Sequence, residues 1–145
     1  MLQQVSVYIE NRPGRMVEVL KEIADHGLNI NGMSVTDSAD FGLLRLILSD
    51  SGRGYEALVE AGYIVRIAEV LAIEVSDEAG SLTEVLSWIG GYGINIHYLY
   101  AFGTKLDGHA MIILKTDDDH RCAKILQMKG ISELSEADMQ KRLNV

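Results

Sequence analysis

An internal repeat constrains the fold of this chain more than any other feature of its sequence. Gly14 and Gly80 lie 66 positions apart, and at the same offset Gly27-Leu28-Asn29-Ile30 aligns with Gly93-Ile94-Asn95-Ile96. Repeats of this kind mark a duplicated structural unit. We therefore expect two similar domains in tandem, residues 1–69 and 70–145. The other aligned pairs are Val7 with Ile73, Ile9 with Val75, Asn11 with Asp77, Pro13 with Ala79, Met16 with Leu82, Val19 with Val85, Leu20 with Leu86, Ile23 with Ile89, Met33 with Leu99, and Leu44, Leu46 and Leu48 with Ala110, Ile112 and Leu114.

The first copy reads as six elements in the order β-α-β-β-α-β. Alternating apolar residues from Val5 to Ile9 predict a strand, and apolar residues spaced by three and four from Met16 to Ile23 predict a helix. Pro13 suits the first turn of that helix, and Gly27 suits its left-handed end. This order predicts an antiparallel sheet with both helices on one face. The remaining elements are strands Leu28–Val35 and Leu43–Leu48, joined by a turn over Asp37–Asp40, a helix Tyr55–Glu60 ended by Gly62, and a strand Tyr63–Val70.

The second copy repeats this order and then diverges. Its elements are strand Leu71–Val75, helix Gly80–Gly91, strand Ile94–Phe102, strand Ala110–Thr116 and helix His120–Met128. After Gly130 only Ile131–Leu134 suits a strand, and Ser135 and Glu136 predict the start of a terminal helix that ends near Leu143. The last strand of the first copy runs directly into the first strand of the second. Two copies of about 70 residues are each marginal alone, so we expect them to pack side by side.

A change of parity inside the second strand of each copy predicts a β-bulge. Leu28 and Ile30 share one parity while Met33 has the other, and the second copy repeats the switch. The bulge would place Tyr98 and Tyr100 on the open face of the sheet.

Composition limits the partners of this chain. Its 145 residues carry a net charge of −8, which disfavours nucleic-acid and membrane binding because phosphate groups are repelled. No apolar run is long enough for a membrane span, and the N-terminus lacks the basic flank of a signal peptide. Cys122 is the single cysteine, so no disulfide forms within the chain. We expect a cytoplasmic protein.

The search for catalytic and metal-ligating patterns is negative. Asp117, Asp118 and Asp119 precede His120, a set that would suit a metal, but aspartates at a helix start are typical helix caps. Cys122 falls on the apolar face of a predicted helix and reads as a core thiol. The glycines of Gly90–Gly93 follow a helix, so they read as a helix stop rather than a phosphate loop. We expect no enzyme activity, no metal and no cofactor.

The two loops after the first strands carry the strongest signal for a ligand. Arg12 and Arg15 flank Gly14 at a predicted helix start, where free amides, the helix dipole and guanidinium groups favour a carboxylate. The corresponding loop of the second copy, Ser76–Gly80, carries Asp77 and Glu78 and suits an ammonium group or no ligand. The alternative is a capped helix with exposed arginines.

At these residues the chain resembles the ACT-domain family of regulatory modules. The resemblance consists of a first strand, then Asn/Asp-x-Pro/Ala-Gly, an apolar helix, and Gly-Leu/Ile-Asn-Ile at the second strand; it occurs twice and extends to about Leu134. It implies an α+β fold of two ferredoxin-like βαββαβ sandwiches that associate through sheet edges. It also implies a free amino acid bound at the interface between the two domains. The positions that it nominates are Asn11, Arg12, Gly14, Asn29, Ile30, Asp77, Gly80, Asn95 and Ile96, to which the charge argument adds Arg15.

The family geometry pairs each loop with the second strand of a neighbouring module. Two inequivalent pockets result, and we expect the one with arginines to bind better. The family usually attaches these modules to an enzyme or a DNA-binding regulator, and this sequence shows no such segment. We therefore expect a free-standing sensor or a subunit that acts in trans, and a homodimer.

Three rival functions share the predicted element order. An RNA-binding module would stack bases on Tyr98, Tyr100 and Phe102. A ferredoxin-like hydrolase would bind a phosphate at Arg12. A ligand-free oligomerisation or partner-binding module would regulate an enzyme in trans without a small molecule.

Overall fold

The computed structural model of the chain describes residues 1–38, 40–101 and 108–143. The chain divides into two compact units. The first unit is Gln3–Glu69, and the second unit comprises Met1–Leu2 together with the chain from Val70 onward. Helices combined with antiparallel strand pairs confirm the predicted α+β class.

The first unit contains a four-stranded sheet with two helices on one face. Its elements are β1 (Leu2–Glu10), α1 (Arg15–Asp25), β2 (Ile30–Asp37), β3 (Phe41–Leu48), α2 (Ser51–Glu60) and the first residues of β4 (Ile64–Ser76). The strands follow the order β2-β3-β1-β4, and β1 and β2 both pair with β3 in antiparallel fashion. Val5, Val7 and Ile9 of β1 are buried in one core with Val19 and Ile23 of α1.

The second unit contains the remainder of β4, so the predicted strands Tyr63–Val70 and Leu71–Val75 are parts of one continuous strand. Its further elements are α3 (Ser81–Gly91), β5 (Ile96–Ala101), β6 (His109–Thr116), α4 (Asp119–Met128) and α5 (Glu136–Leu143). The strands follow the order β4-β6-β5. Leu71, Ile73 and Val75 of β4 form a core with Val85 and Ile89 of α3.

The strand predicted over Ile131–Leu134 is wrong, because this segment makes only one bridge to β4. Glu133 pairs with Ile73, and the amide of Leu134 donates to the carbonyl of Ala72 at 2.7 Å. Ser135 directly follows and its hydroxyl accepts from the amide of Asp138, which starts α5 and takes the chain out of strand geometry.

Hydrogen bonding confirms the duplication at corresponding positions of the two units. Both first helices begin at a glycine with positive φ, 82° at Gly14 and 88° at Gly80. Each second strand is preceded by an asparagine whose carbonyl accepts an amide at 3.0 Å, from Ser49 to Asn29 and from Asp117 to Asn95. The predicted bulges are also confirmed, with register shifts at Ile30/Gly32 and at Ile96/Tyr98.

The alignment of the two copies at a constant offset of 66 residues is wrong beyond the second strand. Val7 lies opposite Leu44, whereas Ile73 lies opposite Ile112 rather than Ala110. The true offset in β6 is therefore two residues larger than in the first part of the repeat. A shift of two preserves the inward and outward alternation of a strand, so the apolar pattern cannot reveal it.

Two helix starts differ from the prediction. Pro13 lies in the turn before α1 rather than in its first turn, because Gly14 is the N-cap. The second helix begins at Ser51, four residues earlier than expected, because Asp50 caps it by accepting from the amide of Arg53 at 3.0 Å.

The tyrosines of β5 lie on the sheet face opposite the core with α3, as predicted, but that face is not open at Tyr100. Tyr98 is opposite Lys115 and Tyr100 opposite Ile113, whereas Leu99 is opposite the core residue Leu114. Tyr100 is only 9% exposed, so it offers no ring surface for stacking a base. The third residue of the proposed RNA platform, Phe102, lies outside the described residues.

Candidate functional site

The two predicted ligand loops hold the starts of α1 and α3. Among the described residues no side chain caps either helix, whereas Asp50 caps α2 and Asp118 caps α4. A positive φ is a conformation that glycine adopts without strain. Gly14 and Gly80 thus turn the chain into the helix. The amides of Arg15 and Ser81 donate to the carbonyls of Arg12 and Glu78 at 3.3 and 3.1 Å. The next amides of each first turn have no side-chain cap, which is the arrangement that favours an anion.

Four charged side chains form a cluster at the first loop, which we call the arginine cluster. They are Glu10, Arg12, Arg15 and Glu18. Arg12 donates from Nε to Glu10 at 3.3 Å and from Nη2 to Glu18 at 3.3 Å. Arg15 donates from Nη1 to Glu18 at 2.7 Å. Glu18 therefore accepts from both guanidinium groups, and the cluster has no net charge.

Arg15 is the more enclosed of the two arginines. Its guanidinium carbon lies 4.6 Å from the centre of the Tyr63 ring, and its Nη1 is 3.5 Å from the Tyr63 hydroxyl. The Nε of Arg15 is buried and has no hydrogen-bond partner in the described part of the chain. Tyr63 thus supports the guanidinium by a cation–π contact and limits its movement.

The ion pair between Arg15 and Glu18 shifts the pKa of both groups. The hydrogen bond from Arg15, followed by that from Arg12, holds the pKa of Glu18 below its ordinary value despite some desolvation. The same bond raises the pKa of Arg15. Both groups therefore stay charged at neutral pH, and a ligand carboxylate would meet guanidinium groups that already have a partner.

The loop of the second unit has the same backbone and different chemistry. The amide of Asp77 donates to Gly108, as the amide of Asn11 donates to Asp40. Glu78 and Ser81 stand at the positions of Arg12 and Arg15. The two loops are therefore electrostatically inequivalent, as the sequence predicted from residue types.

The strand-start residues lie at the opposite end of each unit from the loops. Glu10, at the loop end of β1, is opposite Phe41, whereas Ile30 is opposite Leu48 at the other end of β3. The 11 residues of α1 separate Asn11 from Asn29, which amounts to about 16 Å of helix. Ile96, opposite Thr116 at the far end of β6, and Asn95 are placed in the same way in the second unit. A single unit therefore does not bring its own loop and strand start together.

The asparagines at the strand starts are held through their backbones. The amide of Asn29 donates to the Ser49 hydroxyl at 3.0 Å, and the amide of Asn95 donates to a carboxylate oxygen of Asp117 at 3.1 Å. Both asparagine residues are exposed.

The acidic run before α4 has structural roles. Asp117 holds Asn95, Asp118 caps α4 by accepting from Arg121, and Asp119 accepts from Thr116 and from Lys115 Nζ. The capping prediction is confirmed. Over the described ranges no group of three His, Cys, Asp or Glu side chains could hold a metal ion.

Cys122 is a core thiol, as predicted. It is fully buried in the second unit, and this burial raises the pKa of the thiol to about 11. A thiol protonated at neutral pH is a poor nucleophile.

Sequence reasoning missed three residues of the arginine cluster and its support: Glu10, Glu18 and Tyr63. Glu18 could have been found, because it lies three positions after Arg15 and such pairs meet on a helix. Tyr63 could not, because only the tertiary fold brings it to Arg15 from 48 positions along the chain.

The first unit is a βαββαβ unit, and the second repeats its order up to the last strand, which is reduced to one bridge. With the glycine turns at their first helices, the two units define a ferredoxin-like pair of small modules. The chain belongs to the family described as the ACT domain pair, whose model matches residues 1–143. This confirms the resemblance. ACT domains are regulatory modules. Within the described ranges, no helix has the length and apolar character to cross a membrane.

Solved structures agree with this assignment. Protein BT0572 from Bacteroides thetaiotaomicron is 29% identical over 94% of both chains, with a TM-score of 0.88. The regulatory subunit of aspartate kinase from Thermus thermophilus, in its ligand-free form, has a TM-score of 0.63 at 11% identity, over 87% of this chain and 90% of the other. The corresponding subunit from Thermus flavus has a TM-score of 0.59 at 13% identity, with the same coverage. The latter two show likeness of fold. A search of curated proteins found no match.

Proposed function

We propose that this chain is a cytoplasmic regulatory protein, not an enzyme, that binds a free amino acid through its first loop. The observation that carries the proposal is the uncapped start of α1 beside two arginines. Open amides and guanidinium groups together suit an α-carboxylate. Asn11, Arg12, Gly14 and Arg15 would form this half of the site.

A second module must supply the other half of the site. Asn29 and Ile30 lie about a helix length from the loop of their own unit, so the strand start that completes a pocket belongs to another module, in this chain or in a second copy. A micromolar Kd needs about 8 kcal/mol, more than one guanidinium group supplies. Backbone contacts from Asn29, Ile30, Asn95 or Ile96 would share that free energy.

The loop of the second unit is the weaker site in this proposal. Asp77 and Glu78 would repel a ligand carboxylate, and Gly80 alone would offer only helix amides. We therefore expect one strong site for each chain.

Edge strands support a homodimer and a second candidate function. β2 lies at an edge of the first unit's sheet, and its Met33 and Val35 are 43% and 44% exposed. β5 is an edge strand in the second unit, with Leu99 36% exposed. Apolar edge strands are sites of strand addition, so the alternative is a ligand-free module that binds an enzyme, a regulator or its own copy.

The test is a thermal-shift screen of the twenty amino acids, followed by calorimetry of those that raise Tm. Ligand binding raises apparent stability by mass action. We expect one class of amino acid to raise Tm, and Arg12→Ala to weaken its binding at least about tenfold, the loss expected for one charge-assisted contact. Lys21→Ala is the matched control, because it removes an exposed cation of α1 that pairs with Asp25 away from the loop.

The outcomes separate the two candidates. A Tm that no amino acid raises would favour the partner-binding module. An amino acid that binds Arg12→Ala as tightly as the unchanged protein would place its carboxylate away from Arg12.

A further inference from the structure

Glu18 occupies the position that a ligand carboxylate would need. Its carboxylate accepts from Arg15 Nη1 at 2.7 Å and from Arg12 Nη2 at 3.3 Å. Both arginines use their terminal nitrogens on this one side chain, which belongs to the first turn of the helix whose start they flank. The protein thus carries its own carboxylate at the arginine pair.

The second unit shows that this arrangement is not a requirement of the fold. Glu84 stands at the position of Glu18, on a helix that begins at Gly80 in the same way. In the described part of the chain Glu84 makes no ion pair, because Glu78 and Ser81 replace the two arginines. The repeat therefore offers an internal comparison between a glutamate that is held by arginines and one that is exposed without them.

We infer that Glu18 is a built-in competitor that excludes simple anions from the first loop and admits ligands that carry an ammonium group beside their carboxylate. A simple anion must displace Glu18 and leave it without a cation. An α-amino acid displaces it as well, but its ammonium group then provides Glu18 with a new partner. The exchange leaves the charges of the loop balanced only for the zwitterion.

The geometry favours such an exchange over a permanent ion pair. Glu18 and Arg12 each have 46% of their side-chain surface exposed, so neither is locked in a core. Exposed ion pairs are weak and exchange readily. Arg15, only 23% exposed and stacked on Tyr63, stays in place to receive the incoming carboxylate.

The test compares acetate binding to the unchanged protein, Glu18→Gln and Glu84→Gln. Acetate is titrated at low ionic strength, since salt screens exposed charges, and the backbone amide signals of Gly14 to Val17 are followed by NMR. We expect Glu18→Gln to bind acetate at this loop about tenfold more tightly, the change that one released charge-assisted partner would give. Glu84→Gln, the matched change in the other unit, should bind acetate at the first loop as weakly as the unchanged protein. Equal acetate affinity in Glu18→Gln and the unchanged protein would overturn the inference.

A second measurement uses an amino acid found by the screen and its counterpart without the amino group. We expect the preference for the amino acid to fall about tenfold in Glu18→Gln, because a glutamine cannot pair with ammonium. An undiminished preference would remove Glu18 as the ammonium partner. This measurement rests on the proposed function, whereas the acetate titration does not. If no amino acid binds, the proposed function fails while the acetate result still decides whether Glu18 competes for the arginines.

Discussion

Neighbouring aspartates at the start of α4 have different roles although they share one sequence context. Asp118 is the cap, and it accepts from the amide of Arg121 at 3.1 Å. Asp119 turns inward, where one oxygen accepts from both the amide and the hydroxyl of Thr116 at 2.8 Å and the other accepts from Lys115 at 2.6 Å. Desolvation would raise the pKa of Asp119, but its bonds with Lys115 and Thr116 outweigh this and lower the pKa.

Asp119→Asn should lower the free energy of unfolding at pH 7 by about 1–2 kcal/mol, because charge-assisted hydrogen bonds to a mostly buried group are lost. A lowered pKa means that the contribution of Asp119 is complete above its ordinary value of 3.8 and is lost as the pH falls through the folded value. Chemical denaturation at pH 7 and pH 3 should show the difference between variant and unchanged protein shrinking with acid. Asp25→Asn, which breaks an exposed pair with Lys21, should change stability by no more than about 0.5 kcal/mol at either pH. A constant difference for Asp119→Asn across this range would rule out the ionised form as the source.

The helices α1 to α4 start in two different ways, one that stabilises the helix and one that leaves amides open to a ligand. α2 and α4 are capped by aspartate side chains, whereas α1 and α3 begin at glycines and have no side-chain cap among the described residues. The uncapped pair carries the candidate loops. α2 also approaches its sheet closely, because Gly54 lies against Leu48 of β3 and leaves no room for a side chain.

Two glycines of α2 give a matched test of this close contact. A Cβ at Gly54 would lie 2.3 Å from Leu48 Cδ1, whereas a Cβ at Gly52 would meet only an oxygen of Asp50 at 3.6 Å. Gly52→Ala should stabilise the protein by about 0.5–1 kcal/mol through helix propensity. Gly54→Ala should destabilise it by about 1 kcal/mol, because overpacking outweighs the same propensity gain. Urea denaturation measures both, and equal stabilisation by the two changes would show that Leu48 moves aside at no cost.

The two units of the molecule complete their folds differently. In the first unit a fourth strand, the first part of β4, lies beside β1. In the second unit the corresponding segment makes one bridge, and the tail then contributes buried Leu134 and Met139. The duplication was therefore modified at its end, where α5 supplies apolar burial that the shortened strand does not.

Met139→Ala should destabilise the second unit by about 2–4 kcal/mol, since Met139 is 4% exposed and its loss leaves a cavity. Met128→Ala is the control, because Met128 at the end of α4 is 69% exposed and should change stability by about 0.5 kcal/mol or less. Hydrogen exchange should show the loss of protection in β4 near Ala72, whose carbonyl accepts from Leu134. Unchanged protection there would mean that α5 is dispensable for the unit.

The sequence by itself determined the duplicated βαββαβ order, the bulges after Ile30 and Ile96, the glycine turns at Gly14 and Gly80, and the family. These features are local, because periodicity, turn chemistry and glycine placement each act over a few neighbouring residues. They can therefore be recognised in the sequence.

Only the tertiary structure decided the strand register, the reduction of the last strand to one bridge, and the surroundings of Arg15. The register shift in β6 is invisible to alternation because it is even. Arg15 reads as a free cation in the sequence, but folding brings Tyr63 to it from 48 positions away and sets Glu18 against it. Whether a charged side chain is available to a ligand depends on which groups reach it in space, and those groups come from distant parts of the chain as well as from its own helix.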